Sequence, residues 1–272
     1  MSTPASWGWK RRVAGGLARL RVLGPVLTLY QTALGVRGAL RSRGSREPSG
    51  PPVPPAQLRA RIGPSQPDLR VFLETGEQHA RLIHTLLGRA GSTLETASPI
   101  LDFGCGCGRV ARHWINLDVA FHGCDVNTRM IEWCRQNLPG QFAVNQLEPP
   151  LPYMAGQFGL VYAFSVFTHL PERLQGEWLR EVGRVLRPGG FLIFSTLGAY
   201  YAGFGRLTAS ERHAFDAGRP IVLFEGHAGQ NICSAYHPRI FVEQTLAKGF
   251  EYIAYRAGDA EDPQDTHLLR KP

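Results

Sequence analysis

A chain of 272 residues with 43% hydrophobic and 19% charged residues can bury a sizeable core, which excludes collagen, coiled coil and wholesale disorder. Its formal net charge of +8 is confined to one end: residues 1–50 hold nine Lys/Arg against the single acid Glu47, and residues 51–272 hold 21 of each sign. A neutral body argues against a domain that grips nucleic acid on a basic face, while a basic head suits anionic lipid, a targeting signal or weak nucleic-acid contact.

Residues 1–46 contain no acid, and Val22–Val36 form an uncharged run of fifteen. That run falls short of the roughly 20 residues that cross a bilayer, and Gly24-Pro25 interrupts it. Three readings stay open for the head: a loosely docked extension, an interfacial amphipathic helix flanked by Arg, or an Arg-rich transit peptide. Residues 42–67 hold seven prolines, so 47–67 is expected as an extended linker. From Asp68 the pattern changes. Leu69, Phe72, Leu73, Gly76, Ala80, Ile83 and Leu87 recur at three- and four-residue steps, which predicts an amphipathic helix over 68–88.

After Pro99 apolar runs alternate with helical patterns. Strands are predicted at 99–103, 120–125, 142–144, 158–164 and 191–196, with helices at 108–116, 127–138 and 171–186 between them. Such alternation implies parallel pairing with right-handed crossovers, a doubly wound α/β sheet. The chain closes with a helix at 238–249 and strands at 250–256 and 266–271 joined without a helix, so the sheet should end in an antiparallel hairpin. Residues 197–236 read as an insertion between the fifth strand and the last helix, with Tyr200, Tyr201 and Phe204 lining an acceptor pocket or packing a lid.

Ligands of such sheets sit at the carboxyl ends of the strands. There the first strand runs into Gly104-Cys105-Gly106-Cys107-Gly108, preceded by Asp102. Glycine at alternate positions admits positive φ and brings backbone close to a ligand. The dinucleotide pattern GxGxxG is not met, because position 109 is Arg109, and no GxxxxGK[ST] loop is present. Asp125, ending the second strand, is placed to accept both hydroxyls of a ribose. The five cysteines, an odd number without a secretory pattern, suit a reducing, cytoplasmic setting, and a CxC pair inside a glycine turn predicts no metal.

In order and spacing, ILDFGCGCGRV, GCDVNTRMI, FGLVYAFSVFTHLPE and LREVGRVLRPGGFLIFST resemble the motifs of class I S-adenosylmethionine-dependent methyltransferases. The resemblance covers 100–196 in motifs and 95–272 in architecture, and implies a Rossmann-like, mostly parallel seven-stranded sheet. It places Gly104, Gly106 and Gly108, with Cys105, under the methionine moiety and Asp102 facing its ammonium. Asp125 would hold the ribose, with Val126 against the adenine, Asn145 at its edge, and Phe164 and Ser165 near the sulfonium. Relatives usually carry FD early in the central strand, where this chain has Phe158-Gly159, so a structural hydrogen bond is in doubt. NQLEPPLPY and QDTHLLRKP resemble a bacterial branch found beside sugar- and polysaccharide-processing genes.

A hydroxyl acceptor benefits from a general base near neutral pH, and His169 and His237 are the candidates. Nucleic-acid methylation is disfavoured: SVFT stands where [DNS]PP[YF] would follow the central strand, and no cysteine follows proline. The expected acceptor is a sugar, glycan or other small hydroxyl compound. A catalytically silent protein of the same fold and a nicotinamide-dependent oxidoreductase remain the competing classes.

Overall fold

The computed structural model describes residues 13–17, 23–41 and 50–272. One seven-stranded sheet organises them, in the order β3-β2-β1-β4-β5-β9-β8. Its strands are β1 (Ile100–Phe103), β2 (Phe121–Asp125), β3 (Gln141–Val144), β4 (Phe158–Ala163), β5 (Leu186–Thr196), β8 (Glu251–Arg256) and β9 (Asp265–Arg270), while β6 (Ile221–Leu223) and β7 (Ser234–Tyr236) form a separate antiparallel pair. The first five pair in parallel; β9 runs antiparallel to both β5 and β8. The strand order reverses direction between β1 and β4, where a crevice opens at the carboxyl ends of the strands.

Every residue of β1 and β4 but the polar Asp102 is apolar or glycine, and every one is buried. Covered faces explain that continuity, because a strand packed on both sides has no solvent face to make polar. Ile100, Leu160 and Ile193 pack on one face; Leu101, Val161, Leu192 and Phe194 pack on the other. On the second face lies the helix Glu172–Val185, which buries Leu174, Trp178, Leu179 and Val182.

Four predicted elements differ. Residues 108–116 form no regular helix, only a 3-10 turn at Ala111–His113. Gly108 has φ +78°, outside the helical basin, and the first bond of helical span closes only from Arg112 N–H to Gly108 O at 3.1 Å. Strand β5 begins at Leu186, five residues early, and the last helix is a single turn at Arg239–Phe241 continued as π-helix through Val242–Leu246. The fourth difference is the linker.

Residues 47–67 do not run extended throughout: helix α2 spans Ala56–Ile62 and buries Leu58 and Arg59. Proline is dense only up to Pro55, and a proline costs nothing where a helix starts, since its missing N–H would be unpaired there. The segment is fastened to the body. Arg59 donates to Pro67 O (2.7 Å) and Pro54 O (3.3 Å), and Arg112 donates to Pro51 O (2.8 Å). Both guanidiniums lie over the Phe72 ring of α3 (Leu69–Arg89), a helix capped by the Asp68 carboxylate. Helix α1 (Leu23–Arg41) packs on α2 at close backbone range. A Cβ at Gly35 would sit 2.8 Å from Gln57 Cα, and one at Gly38 would sit 2.6 Å from Pro67 Cβ. The basic runs at 10–12, 19–21 and 43–46 lie outside the described residues, and with them most of what the transit-peptide reading rested on. Among the described residues no helix is long and apolar enough to cross a membrane.

Gly159 has its own explanation. A Cβ there would collide with the Ala97 carbonyl and stand 2.6 Å from Arg187 Nη2. Arg187 donates to Thr96 O (2.7 Å) and Ser98 O (3.1 Å), so the guanidinium fills the space that a carboxylate side chain would need.

Candidate functional site

Three glycines turn the chain from β1 into the crevice, with φ of +78°, +55° and +78° at Gly104, Gly106 and Gly108. Their reasons differ. A Cβ on Gly108 would collide with Leu138, and one on Gly104 with Val166, so close packing demands glycine at both. Gly106 has room: its nearest neighbour is Ile62 of α2 at 3.4 Å, across an open cleft.

That cleft has a volume of about 190 Å³, and Gly104, Gly106, Asp125, Val126, Asn145, Phe164, Ser165 and His169 all line it. Asp125 is tied to the turn: its Oδ2 accepts from Gly106 N–H (2.9 Å) and its Oδ1 from Asn127 N–H (2.8 Å). Burial pushes its pKa up while the two N–H donors pull it back. Each oxygen keeps a further lone pair for a ligand hydroxyl. The next strand end supplies Asn145, whose Nδ2 donates to Gln146 O while Oδ1 is buried without a hydrogen-bond partner. Such an orphan acceptor in a cleft is what a ligand N–H would satisfy.

At the end of β4, Ser165 holds φ +61°, a conformation that costs a non-glycine residue about 1–3 kcal/mol. It is clamped: its N–H donates to Ser195 Oγ (2.8 Å), and Gln264 bridges the Ser165 and Ser195 hydroxyls. Phe164 stacks on His79 with centroids 4.0 Å apart, and burial pushes that imidazole's pKa down to about 4, so the stack is between neutral rings.

Asp102, Cys105 and Gly108 stand behind the turn and are not among the cleft-lining residues. Asp102 is buried, its Oδ2 accepting from Tyr162 O–H (3.0 Å), whose oxygen in turn accepts from Trp114 Nε1–H (2.9 Å). Burial raises its pKa to about 7. The Cys105 thiol is buried against Gly123 and points at the Gly106 carbonyl.

The two histidines separate. His169, in the 3-10 turn Phe167–His169, places Nδ1 2.6 Å from the Cys233 carbonyl. A carbonyl only accepts, so Nδ1 carries the proton and Nε2 keeps the lone pair. Burial lowers the pKa of this ring, which keeps it neutral. His237 does not reach the cleft. It is fully buried between β7 (Ser234–Tyr236) and the helix after β4, bonded through Nε2 to Gln175 Oε1 at 2.9 Å, and burial depresses its pKa to about 3. As a general-base candidate it is therefore excluded from the cleft: the bond to Gln175 turns the ring into the core. Tyr200, Tyr201 and Phe204 likewise pack on one another within the insertion, beside Phe215 and Tyr236, and none of them lines the cleft.

Sequence reasoning missed the roof. Arg61 and Ile62 come from α2, Gly229 and Asn231 from the insertion, and Asn231 Nδ2 donates to Arg61 O across them (3.0 Å). Met130 and Leu147 were missed too, although each sits a few residues past a recognised strand end. A larger open groove of about 550 Å³ lies at the other end of β2 and β3, lined by His122, Tyr153 and Met154. It contains neither the glycine turn nor a carboxylate.

Residues 100–190 match the family model described as a methyltransferase domain. The malonyl-[acyl-carrier protein] O-methyltransferase of Enterobacter lignolyticus is 28% identical over 149 residues, covering 55% of this chain and 57% of that one. This chain spans about half the length of the curated relatives it matches. Among solved structures, an S-adenosylmethionine-dependent methyltransferase of Methanosarcina mazei superposes with TM-score 0.51 at 17% identity, over 70% of this chain and 96% of that one. The glycopeptide N-methyltransferase MtfA, solved with sinefungin, gives TM-score 0.51 at 15% identity over 72% and 87%. These likenesses are of fold.

Proposed function

The chain carries a class I S-adenosylmethionine-dependent methyltransferase domain, and on that premise we propose that it O-methylates a sugar or other small hydroxyl compound held beside His169. The observation that carries the reading is His169 itself, a cleft-lining neutral ring with its proton fixed on Nδ1, which leaves the lone pair on Nε2.

The cleft fits the cofactor. Asp125 would accept from the ribose hydroxyls, Val126, Met130 and Leu147 would flank the adenine, and the orphan Asn145 Oδ1 would accept from its amino edge. Gly104 and Gly106 leave the methionine tail room. When bound, S-adenosylmethionine supplies a methyl group already activated on a sulfonium. The protein is left with placement and proton removal. Holding acceptor and methyl at about 3 Å in line is worth roughly 7–11 kcal/mol. His169 Nε2 takes the hydroxyl proton, and the Cys233 carbonyl orients the ring and stabilises the charge it gains. The hydrogen bond from Asn231 to Arg61 O ties the insertion to α2 along one rim of the cleft.

An O-methyltransferase among the relatives supports the acceptor atom, although the names of others include a glycopeptide N-methyltransferase. The deciding assay incubates the protein with methyl-labelled cofactor and a panel of sugars, glycans, phenols, carboxylates and amines. Labelled methyl ether from a hydroxyl compound is expected, with loss of turnover in His169→Gln. Tight cofactor binding with no transfer to any acceptor would favour the silent protein, and transfer to amines alone would overturn the hydroxyl reading.

A further inference from the structure

We infer that helix α1 docks this protein onto an anionic lipid bilayer. The argument starts with which residues of α1 are exposed. Leu29 is 72% exposed, Leu40 57%, Tyr30 54%, Val36 48% and Val26 41%. Exposed apolar side chains scattered singly are ordinary on any surface. These are not scattered. Positions 26, 29, 30, 33, 36 and 40 recur at three- and four-residue steps, so at about 100° per residue they form one stripe, with Ala33 in its middle and the exposed Arg37 within it between Val26 and Tyr30.

The stripe faces away from the body. Gly35 and Gly38, on the other side of the helix, are the positions pressed against Gln57 and Pro67, and Leu23 is 2% exposed. The helix therefore seats its glycine face on α2, with Leu23 buried and Leu27 and Leu34 half-buried, and leaves Val26, Leu29, Tyr30, Val36 and Leu40 outward. From Val26 to Leu40 the stripe extends about 21 Å at about 1.5 Å per residue. The helix is not long and apolar enough to cross a membrane, and its inner side is taken up by α2, which leaves the arrangement of an interfacial helix lying in the plane of the headgroups.

Charge chooses the occupant. Residues 1–50 carry nine Lys/Arg and one acid, and none of that charge is needed by a body that is neutral by itself. A second copy of the chain, meeting stripe to stripe, would bring two such heads together and repel. An anionic lipid surface attracts them, and its acyl chains take up the stripe. Because α2 also supplies Arg61 and Ile62 to the cleft, the docking helix sits one element from the cofactor site.

The test uses the full chain, co-sedimented with vesicles of phosphatidylcholine alone and of phosphatidylcholine with phosphatidylglycerol, at about 0.1 M and about 1 M salt, where the Debye length falls from about 10 to about 3 Å. Binding is expected to the mixed vesicles only, and to weaken at high salt. Leu29→Glu with Val36→Glu should lower partitioning by about a hundredfold, since each of the two withheld aliphatic side chains is worth on the order of a tenfold change. S-adenosylhomocysteine affinity and the circular dichroism spectrum should not change. A second variant, Arg11→Gln with Arg12→Gln, keeps the stripe and should weaken binding to the mixed vesicles alone. Failure of the wild-type chain to bind mixed vesicles, or equal binding by the stripe variant, overturns the inference. A wild-type dimer that the stripe variant converts to monomer, with no vesicle binding by either, assigns the stripe to a second copy and overturns it too.

Discussion

Replacing Asp125 by alanine separates what this residue does for the fold from what it does for a ligand. In the folded protein its two oxygens accept from Gly106 N–H at 2.9 Å and Asn127 N–H at 2.8 Å. Each bond to the carboxylate is worth about 1.5–3 kcal/mol, so stability should fall by about 3–6 kcal/mol, or about 6–24 °C in Tm for a domain of this size. The ligand loses affinity on the same scale. Hydrogen bonds to a charged group contribute about 1.5–3 kcal/mol, so S-adenosylhomocysteine should bind about 10- to 150-fold more weakly. Calorimetry on wild type and variant, beside a melting curve of each, reads both quantities. The same titration with a nicotinamide dinucleotide should give no heat in either protein. A dissociation constant within twofold of wild type would refute the ribose assignment, and tight nicotinamide binding would refute the cofactor class.

His169→Gln should lower kcat by about 10²- to 10⁴-fold while leaving cofactor affinity within about twofold. Burial lowers the pKa of His169, so the ring stays a base at neutral pH, and the acid limb of the pH–rate profile should lie below the ordinary histidine value of about 6.5; a limb above it would contradict the burial argument. Gly108→Ala should destabilise the domain by about 2–5 kcal/mol, combining positive-φ strain with overpacking against Leu138, as measured by urea denaturation. A protein beginning at residue 50 keeps α2 and should bind S-adenosylhomocysteine normally, whereas one beginning at residue 68 loses Ile62, Arg61 and the Arg59 anchor and should bind at least about tenfold more weakly. Equal affinity in the two would return residues 50–67 to the status of a linker.

The succession of strands along the chain and the glycine turn could be read from the sequence alone, because an apolar run and a turn's glycines are set by residues within a few positions of one another. A buried parallel strand must be a short apolar run, and the turn that leaves β1 must admit positive φ at Gly104, Gly106 and Gly108. The acid ending β2 lands beside that turn by parallel pairing, with Phe103 opposite Cys124. The other features depend on residues distant in sequence. Proline density spoke for an extended linker at 47–67, yet Arg59 and Arg112 meet over Phe72 and fold that stretch back as the cleft roof. His169 and His237 looked alike as histidines at loop–helix junctions. Only the partners distinguish them: a Cys233 carbonyl 64 residues away orients the first at the cleft, and Gln175, 62 residues away, buries the second. Local periodicity reports which face of an element is apolar, and it is silent about which distant group will claim a polar atom. That choice is made when the sheet closes and every buried donor and acceptor must find a partner.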